Sequence, residues 1–184
     1  YFGNYTIRRN AMNNAIRNRG RNMGIALVLL IMPLLLGCPY ESEVPLSKSS
    51  KAEIDQALLG AWKNTAEEEP FTMIVEQFND HELLLLGMKD GTIERDVMRA
   101  FVTVIKDERF LNVQEIKESP DERVWYLAHY ALSGDTLTMW IVDDKLITTP
   151  FTSSRALSSF VKKNLSNKDL YGDAPPMVLQ RVEE

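Results

Sequence analysis

The chain has 184 residues, 45% of them apolar, with 21 basic and 26 acidic side chains and one cysteine. Every acidic residue follows Cys38 while five of the basic ones precede it, so the part after Cys38 sets 16 basic against 26 acidic residues. That balance argues against nucleic acid as a partner and against a polybasic hold on anionic lipid, and one cysteine excludes an intramolecular disulfide.

In chain order, the first informative stretch is Gly24–Cys38 (GIALVLLIMPLLLGC), with Arg17, Arg19 and Arg21 just upstream. Ile25–Leu36 supplies 12 apolar positions, whereas a membrane-spanning helix needs about 20. The run has no polar face, as an amphipathic core helix would, and Pro33 would break it. A basic flank, a short apolar run and then Leu35-Leu36-Gly37-Cys38 resemble the signal of the prokaryotic lipoproteins, whose Leu-x-Gly-Cys box is acylated on the cysteine and cleaved before it. The resemblance implies that residues 1–37 are a signal peptide and that Cys38 is the lipidated first residue of the mature protein. The chain is then held in the cell envelope by acyl chains on Cys38, more than one being needed for stable anchoring. Met12 is the start that keeps all three arginines in the signal, and residues 1–11 then read as upstream, untranslated sequence. Pro39 stands where an Asp would mark inner-membrane retention in enterobacteria, which points to the periplasmic face of the outer membrane.

Residues 38–49 follow, with Pro39, Pro45 and several serines but no periodicity, and predict a lipidated tether. Residues 50–184 then form one domain. Ser50-Lys51-Ala52-Glu53 has capping-box spacing, and Ile54 and Leu58 recur at i, i+4, so a short helix is expected over Lys51–Leu58. From Leu59 the pattern changes to short runs rich in β-branched and aromatic residues. The runs are Leu59–Lys63, Phe71–Phe78, Glu82–Met88, Ile93–Ile105, Phe110–Ile116, Arg123–Leu132, Thr136–Val142 and Met177–Val182. Eight such segments separated by turn signals predict a mainly β, antiparallel sandwich or barrel.

Two turns predict register. Asp90-Gly91 suits a two-residue type I′ turn, setting Lys89 against Thr92, Met88 against Ile93 and Leu86 against Arg95. Gly134-Asp135 suits type II′, setting Ser133 against Thr136. The pairs Leu132/Leu137, Tyr130/Met139 and Ala128/Ile141 then share one face, expected to be the interior, and Ala131/Thr138, His129/Trp140 and Leu127/Val142 share the other. Ser153–Asn164 breaks the strand pattern. Thr152 or Ser153 can cap it, Leu157, Phe160 and Val161 form an apolar stripe, and Lys162 and Lys163 suit its last turn. One amphipathic helix before the last strand is expected, its stripe covering one end or side of the sheet.

Gly60-Ala61-Trp62, on the first strand just after a short helix, resembles the lipocalins and related small barrels. The resemblance implies an eight-stranded lipocalin-like barrel closed by Trp62, with Arg181 of the last strand lying across its ring. The lipobox, Leu58–Lys63 (Leu-x-Gly-x-Trp-Lys) and a late Tyr-x-Leu hairpin are also similar to a loosely defined set of uncharacterised bacterial envelope lipoproteins. The helix before the final strand departs from the lipocalin order.

Few residues suggest chemistry. His81 sits at a turn and His129 in mid-strand, too few ligands for a zinc site, and no metal or cofactor is expected. Glu67-Glu68-Glu69 and Asp143-Asp144 lack the alternating oxygen spacing of a calcium loop. Serines and aspartates are present without a Gly-x-Ser-x-Gly elbow, so no enzyme is expected. The aromatic set Trp125, Tyr126, Tyr130 and Trp140, with Met139, is the candidate lining for a small apolar ligand. A membrane-anchored barrel that binds such a ligand is the leading expectation. Its alternative is a structural or partner-binding envelope lipoprotein whose core is filled.

Overall fold

In the computed structural model the described residues are 38–64, 70–89, 92–116, 119 and 123–182, with backbone alone for 94–96. The signal-like segment 1–37, the Asp90-Gly91 turn and Glu67-Glu68-Glu69 lie outside them. Eight strands are present: β1 (Gly60–Lys63), β2 (Thr72–Gln77), β3 (Leu83–Lys89), β4 (Thr92–Ile105), β5 (Glu108–Glu115), β6 (Tyr126–Ser133), β7 (Thr136–Ile141) and β8 (Met177–Arg181). They pair in sequence order, each antiparallel to the next, and β8 pairs back on β1 to close a barrel. Among the described residues every strand has a neighbour on each side, so no strand is an open sheet edge along its whole length.

Both registers drawn from turn chemistry hold for the strand pairs that flank the turns. Gly134 takes φ +57° while Asp135 does not go positive, the pattern of a II′ turn, and Ser133 faces Thr136. Lys89 faces Thr92 and Met88 faces Ile93, but Leu86 faces Val97 and not Arg95. A bulge between Leu86 and Met88 absorbs extra residues of the 14-residue β4, the longest strand, which has to bend with the wall.

The face holding Tyr130, Met139, Leu137 and Ala128 points inward, and all four are buried. The register carries that face around the wall: Trp62 lies opposite Met73 and Arg181, Val75 opposite Leu85, Leu111 opposite Ala128, and Leu137 opposite Leu179. Trp62, Leu83, Leu137 and Leu179 retain 0% exposure.

A second core lies outside the wall. Helix α1 (Ser154–Asn164) is capped by Ser153, whose Oγ accepts from the Ala156 N–H, and it buries Leu157 and Val161. These pack with Phe110 and Leu127, which point outward from β5 and β6, and with Val142 and Leu170. The N-terminal segment completes this layer. Tyr40 N–H donates to Val142 O at 2.9 Å, Ser42 and Trp125 exchange backbone bonds, and Leu46 N–H donates to Asn112 Oδ1 at 2.7 Å. Pro39–Ser49 is therefore docked on the barrel and does not act as a free tether. Tyr40 and Leu46 are 5% and 3% exposed, and burial of that order fixes a chain its prolines and serines alone would leave loose.

The helix expected over Lys51–Leu58 is replaced by two 3₁₀ turns, Ser49–Lys51 and Gln56–Leu58, with extended residues between them. Ala52 is buried against Phe101 and Trp125, and its carbonyl meets His81 Nδ1 at 2.8 Å. A continuous helix would withdraw both groups, so tertiary contact overrides the capping-box pattern.

Candidate functional site

The barrel has two unlike ends. At one, the segment from Asp55 to Leu58 turns across the wall. Asp55 caps the second 3₁₀ turn by accepting from the Ala57 N–H, and Leu58 is 1% exposed. Trp62 Nε1–H donates to Leu58 O at 2.8 Å, satisfying the indole donor without water. Arg181 Cζ lies 4.2 Å from the Trp62 ring centroid, while its Nη1 and Nη2 donate to Leu59 O at 2.8 Å and Ala57 O at 2.6 Å. The guanidinium thus covers the ring and ties off carbonyls of the chain that crosses it. Gly60 explains the first letter of the Gly-x-Trp motif: its φ is +116°, and a Cβ there would sit 3.0 Å from Arg181 Nη1.

Beside this plug, Tyr130 donates from its hydroxyl to Asp55 Oδ2 at 2.8 Å, and Arg109 Nη1 lies 3.7 Å from the same oxygen. Burial first, then the Asp55 carboxylate, raise the Tyr130 phenol far above its ordinary pKa, so it stays a donor.

Met73 and Met139 lie mid-barrel, paired with Trp62 and Tyr130, and toward the other end the inward positions include Met98, Ile141, Met177 and Tyr126. Met73 and Met139 are buried, whereas Met98, Ile141 and Met177 are only half-buried. Four of the inward positions are therefore methionines, side chains that repack around an irregular guest at low cost.

The aromatic set singled out in the sequence does not form one lining. Tyr130 and Met139 face the interior as expected. Tyr126 shares that inward face at the far rim, opposite Val113, where it donates to Glu41 Oε1 at 3.0 Å and its phenol is raised by burial and by Glu41. Trp125 packs outside the wall, edge-on to Phe101 at 5.4 Å, with Arg99 Cζ 5.1 Å from its ring. Trp140 also points outward, stacked on His129 at 5.0 Å. Strand alternation separates them: Trp140 follows inward Met139 by one residue and so must face the other way.

His129 has a structural setting, with Glu108 Oε2 2.7 Å from its Nε2 and the rings of Phe110, Trp140 and Tyr171 around it. His81 belongs to a turn in which Asn79 Oδ1 accepts from the backbone of His81 and Glu82. Asp143 caps the 3₁₀ turn Asp144–Leu146 by accepting from the Lys145 N–H. Among the described residues, no group of three or more His, Cys, Asp or Glu could hold a metal ion. Cys38 is exposed, and its carbonyl accepts from the Asp144 N–H at 3.1 Å. An open groove of about 440 Å³ lies along β1 and β2, lined by Leu59, Ala61, Ile74, Glu76 and Gln77 among others.

Sequence reasoning missed Met73, Met98 and Met177. The signal that finds them is period two counted from Trp62 and Arg181 through the strand registers, which joins residues more than 100 positions apart. No family model, curated protein or solved structure matches the chain.

Proposed function

We propose that the protein is a lipid-anchored envelope lipoprotein, acylated on Cys38, whose lipocalin-like barrel holds a small apolar ligand without reacting with it. The observation that carries the ligand reading is the contrast between the two ends. Trp62, Leu83, Leu137 and Leu179 are shut off completely, while Met98, Ile141 and Met177 keep partial exposure on the same inward face. An apolar guest gains by removing that surface from water, and methionines let the wall adapt to it. The anchor rests on Leu35–Cys38 with its basic flank, and Pro39 in the second mature position favours the outer membrane.

The alternative, a filled barrel that works through its surface, is favoured by the burial of Met73 and Met139, at 5% and 7% exposure. Titration of a lipid-free domain beginning at Pro39 separates the two; a later start would remove Tyr40 and Leu46 from the outer core. Fatty acids and extracted envelope lipids are added while tryptophan fluorescence is followed. Saturable quenching that weakens in Met139→Ala and vanishes in Met177→Trp, which fills the less sealed end, is the expected result. Silence toward every lipid, with a specific envelope protein recovered by crosslinking, overturns the ligand reading in favour of the filled barrel. Metabolic labelling with palmitate tests the anchor: label should enter the parent chain and not Cys38→Ala.

A further inference from the structure

Residues 38–58 cross the full height of the barrel on its outside. Cys38 and Pro39 lie beside Asp143 and Asp144, just past the end of β7, and Ser42 pairs with Trp125 just before β6. Leu46 and Ser47 then meet Asn112 and Thr103 in mid-wall, Ala52 meets His81, and Asp55–Leu58 plugs the end that holds Trp62. The start of the segment is thus at the end opposite the plug. Asp135, whose carbonyl accepts from the Arg181 N–H, marks the plugged end, and Asp143 lies eight residues further along the same strand direction. At about 3.3 Å per residue that is about 26 Å along the strand, or about 20 Å along the barrel axis once strand tilt is allowed for.

We infer that acylated Cys38 seats the end of the barrel opposite Trp62 on the bilayer surface and holds the plugged end away from it. The inference rests on the lipidation reading above and adds to it a fixed orientation. A flexible linker of ten residues would span about 17 Å on average and would let the domain tumble. Here there is no such slack. The Cys38 carbonyl is bonded to Asp144 N–H, Pro39 is bridged to Asp143, and Tyr40 is 5% exposed, its backbone bonded to Val142 and its hydroxyl accepting from the Phe151 N–H at 3.2 Å.

Exposed apolar side chains do not set the orientation, because both ends have them: Ile93 and Ile116 at one, Phe78 and Val104 at the other. Charge does not draw that end to anionic lipid either, since Glu41, Asp143 and Asp144 cluster near Cys38. The partner is therefore a bilayer surface reached through the acyl chains. The barrel end that holds half-buried Met98, Ile141 and Met177 then faces lipid, and an apolar ligand passes between bilayer and barrel with little travel through water.

The test uses the full-length acylated protein in vesicles of phosphatidylcholine and phosphatidylethanolamine that contain nitroxide-headgroup lipid. Acylation removes the Cys38 thiol, so a fluorophore can be placed on Ile116→Cys near the anchor or on Val104→Cys at the plugged end. The fluorophore at 116 should be quenched several-fold more than that at 104. A flexible Gly-Ser insertion between Cys38 and Pro39 should bring the two together while leaving acylation and melting unchanged. Equal quenching at both ends in the uninserted, acylated protein overturns the orientation and leaves the anchor standing. A mass spectrum showing no acyl chain on Cys38 overturns both.

Discussion

The barrel wall is buried on one side in one half of the molecule and on both sides in the other. Along β3, exposure alternates strictly through Leu83–Gly87 even though four leucines are consecutive. Along β5, Phe110, Leu111 and Asn112 are all buried, and along β6 both Leu127 and Ala128 are. The difference lies in what covers the outside. The segment of residues 38–52 and helix α1 pack over β4–β7, and nothing in the local pattern of β5 or β6 announces a partner so far away in sequence. An apolar run therefore states how much surface must be buried and leaves open on how many sides.

Emptying the inner core should have the largest effect. Trp62→Ala removes the ring that Leu58 and Arg181 hold, and a loss of about 3–5 kcal/mol is expected in urea unfolding. A variant melting with the parent would put Trp62 outside the cooperative core. For the outer core, Leu157→Ala should cost about 2–5 kcal/mol, as befits a side chain with 0% exposure. A loss well under about 1 kcal/mol would make the outer layer an accessory covering and not a second core.

Asn112 joins the two layers. It accepts from Leu46 N–H and donates to Phe101 O and Thr103 Oγ1, and is itself 0% exposed. Asn112→Leu leaves buried polar groups unpaired and should cost about 1–3 kcal/mol. It should also expose residues 40–52 to protease before the barrel opens, and protection equal to the parent's would show that the segment is held without it. Arg181→Lys keeps the charge over Trp62 but cannot reach both carbonyls in the same geometry, so about 0.5–2 kcal/mol should be lost.

The smallest effect is a pH dependence shared by both layers. Burial raises the phenols of inner Tyr130 and outer Tyr171, the latter to about 12 with help from Glu108. Unfolded, Tyr130 and Tyr171 ionise near pH 10, before they do in the folded chain, so stability present below that pH is lost as pH rises toward the raised values. The absorbance of these two phenolates should therefore appear late and together with unfolding. Early absorbance from all tyrosines in the folded protein would show the phenols to be open to solvent.

The plug is partly legible in the sequence, because Gly60-Ala61-Trp62 and Arg181 point to an end closed by a ring under a cation. The inward face is legible only in part: Tyr126, Tyr130 and Met139 share it, whereas Trp125 and Trp140 face outward, and Met73, Met98 and Met177 on the same face are inconspicuous in a sequence.

Local chemistry determined what the sequence by itself could determine. Turn residues and β-rich runs specified eight strands and the β6–β7 register, since glycine φ and strand alternation depend only on neighbours. The capped apolar stripe specified helix α1 for the same reason. Only the tertiary structure decided that residues 39–49 are docked, that residues 51–58 form two 3₁₀ turns, and that β4 slips past Leu86. Each of those depends on contacts between segments tens of residues apart, where burying Tyr40, Leu46 and Ala52 against the wall outweighs the preference of the isolated segment.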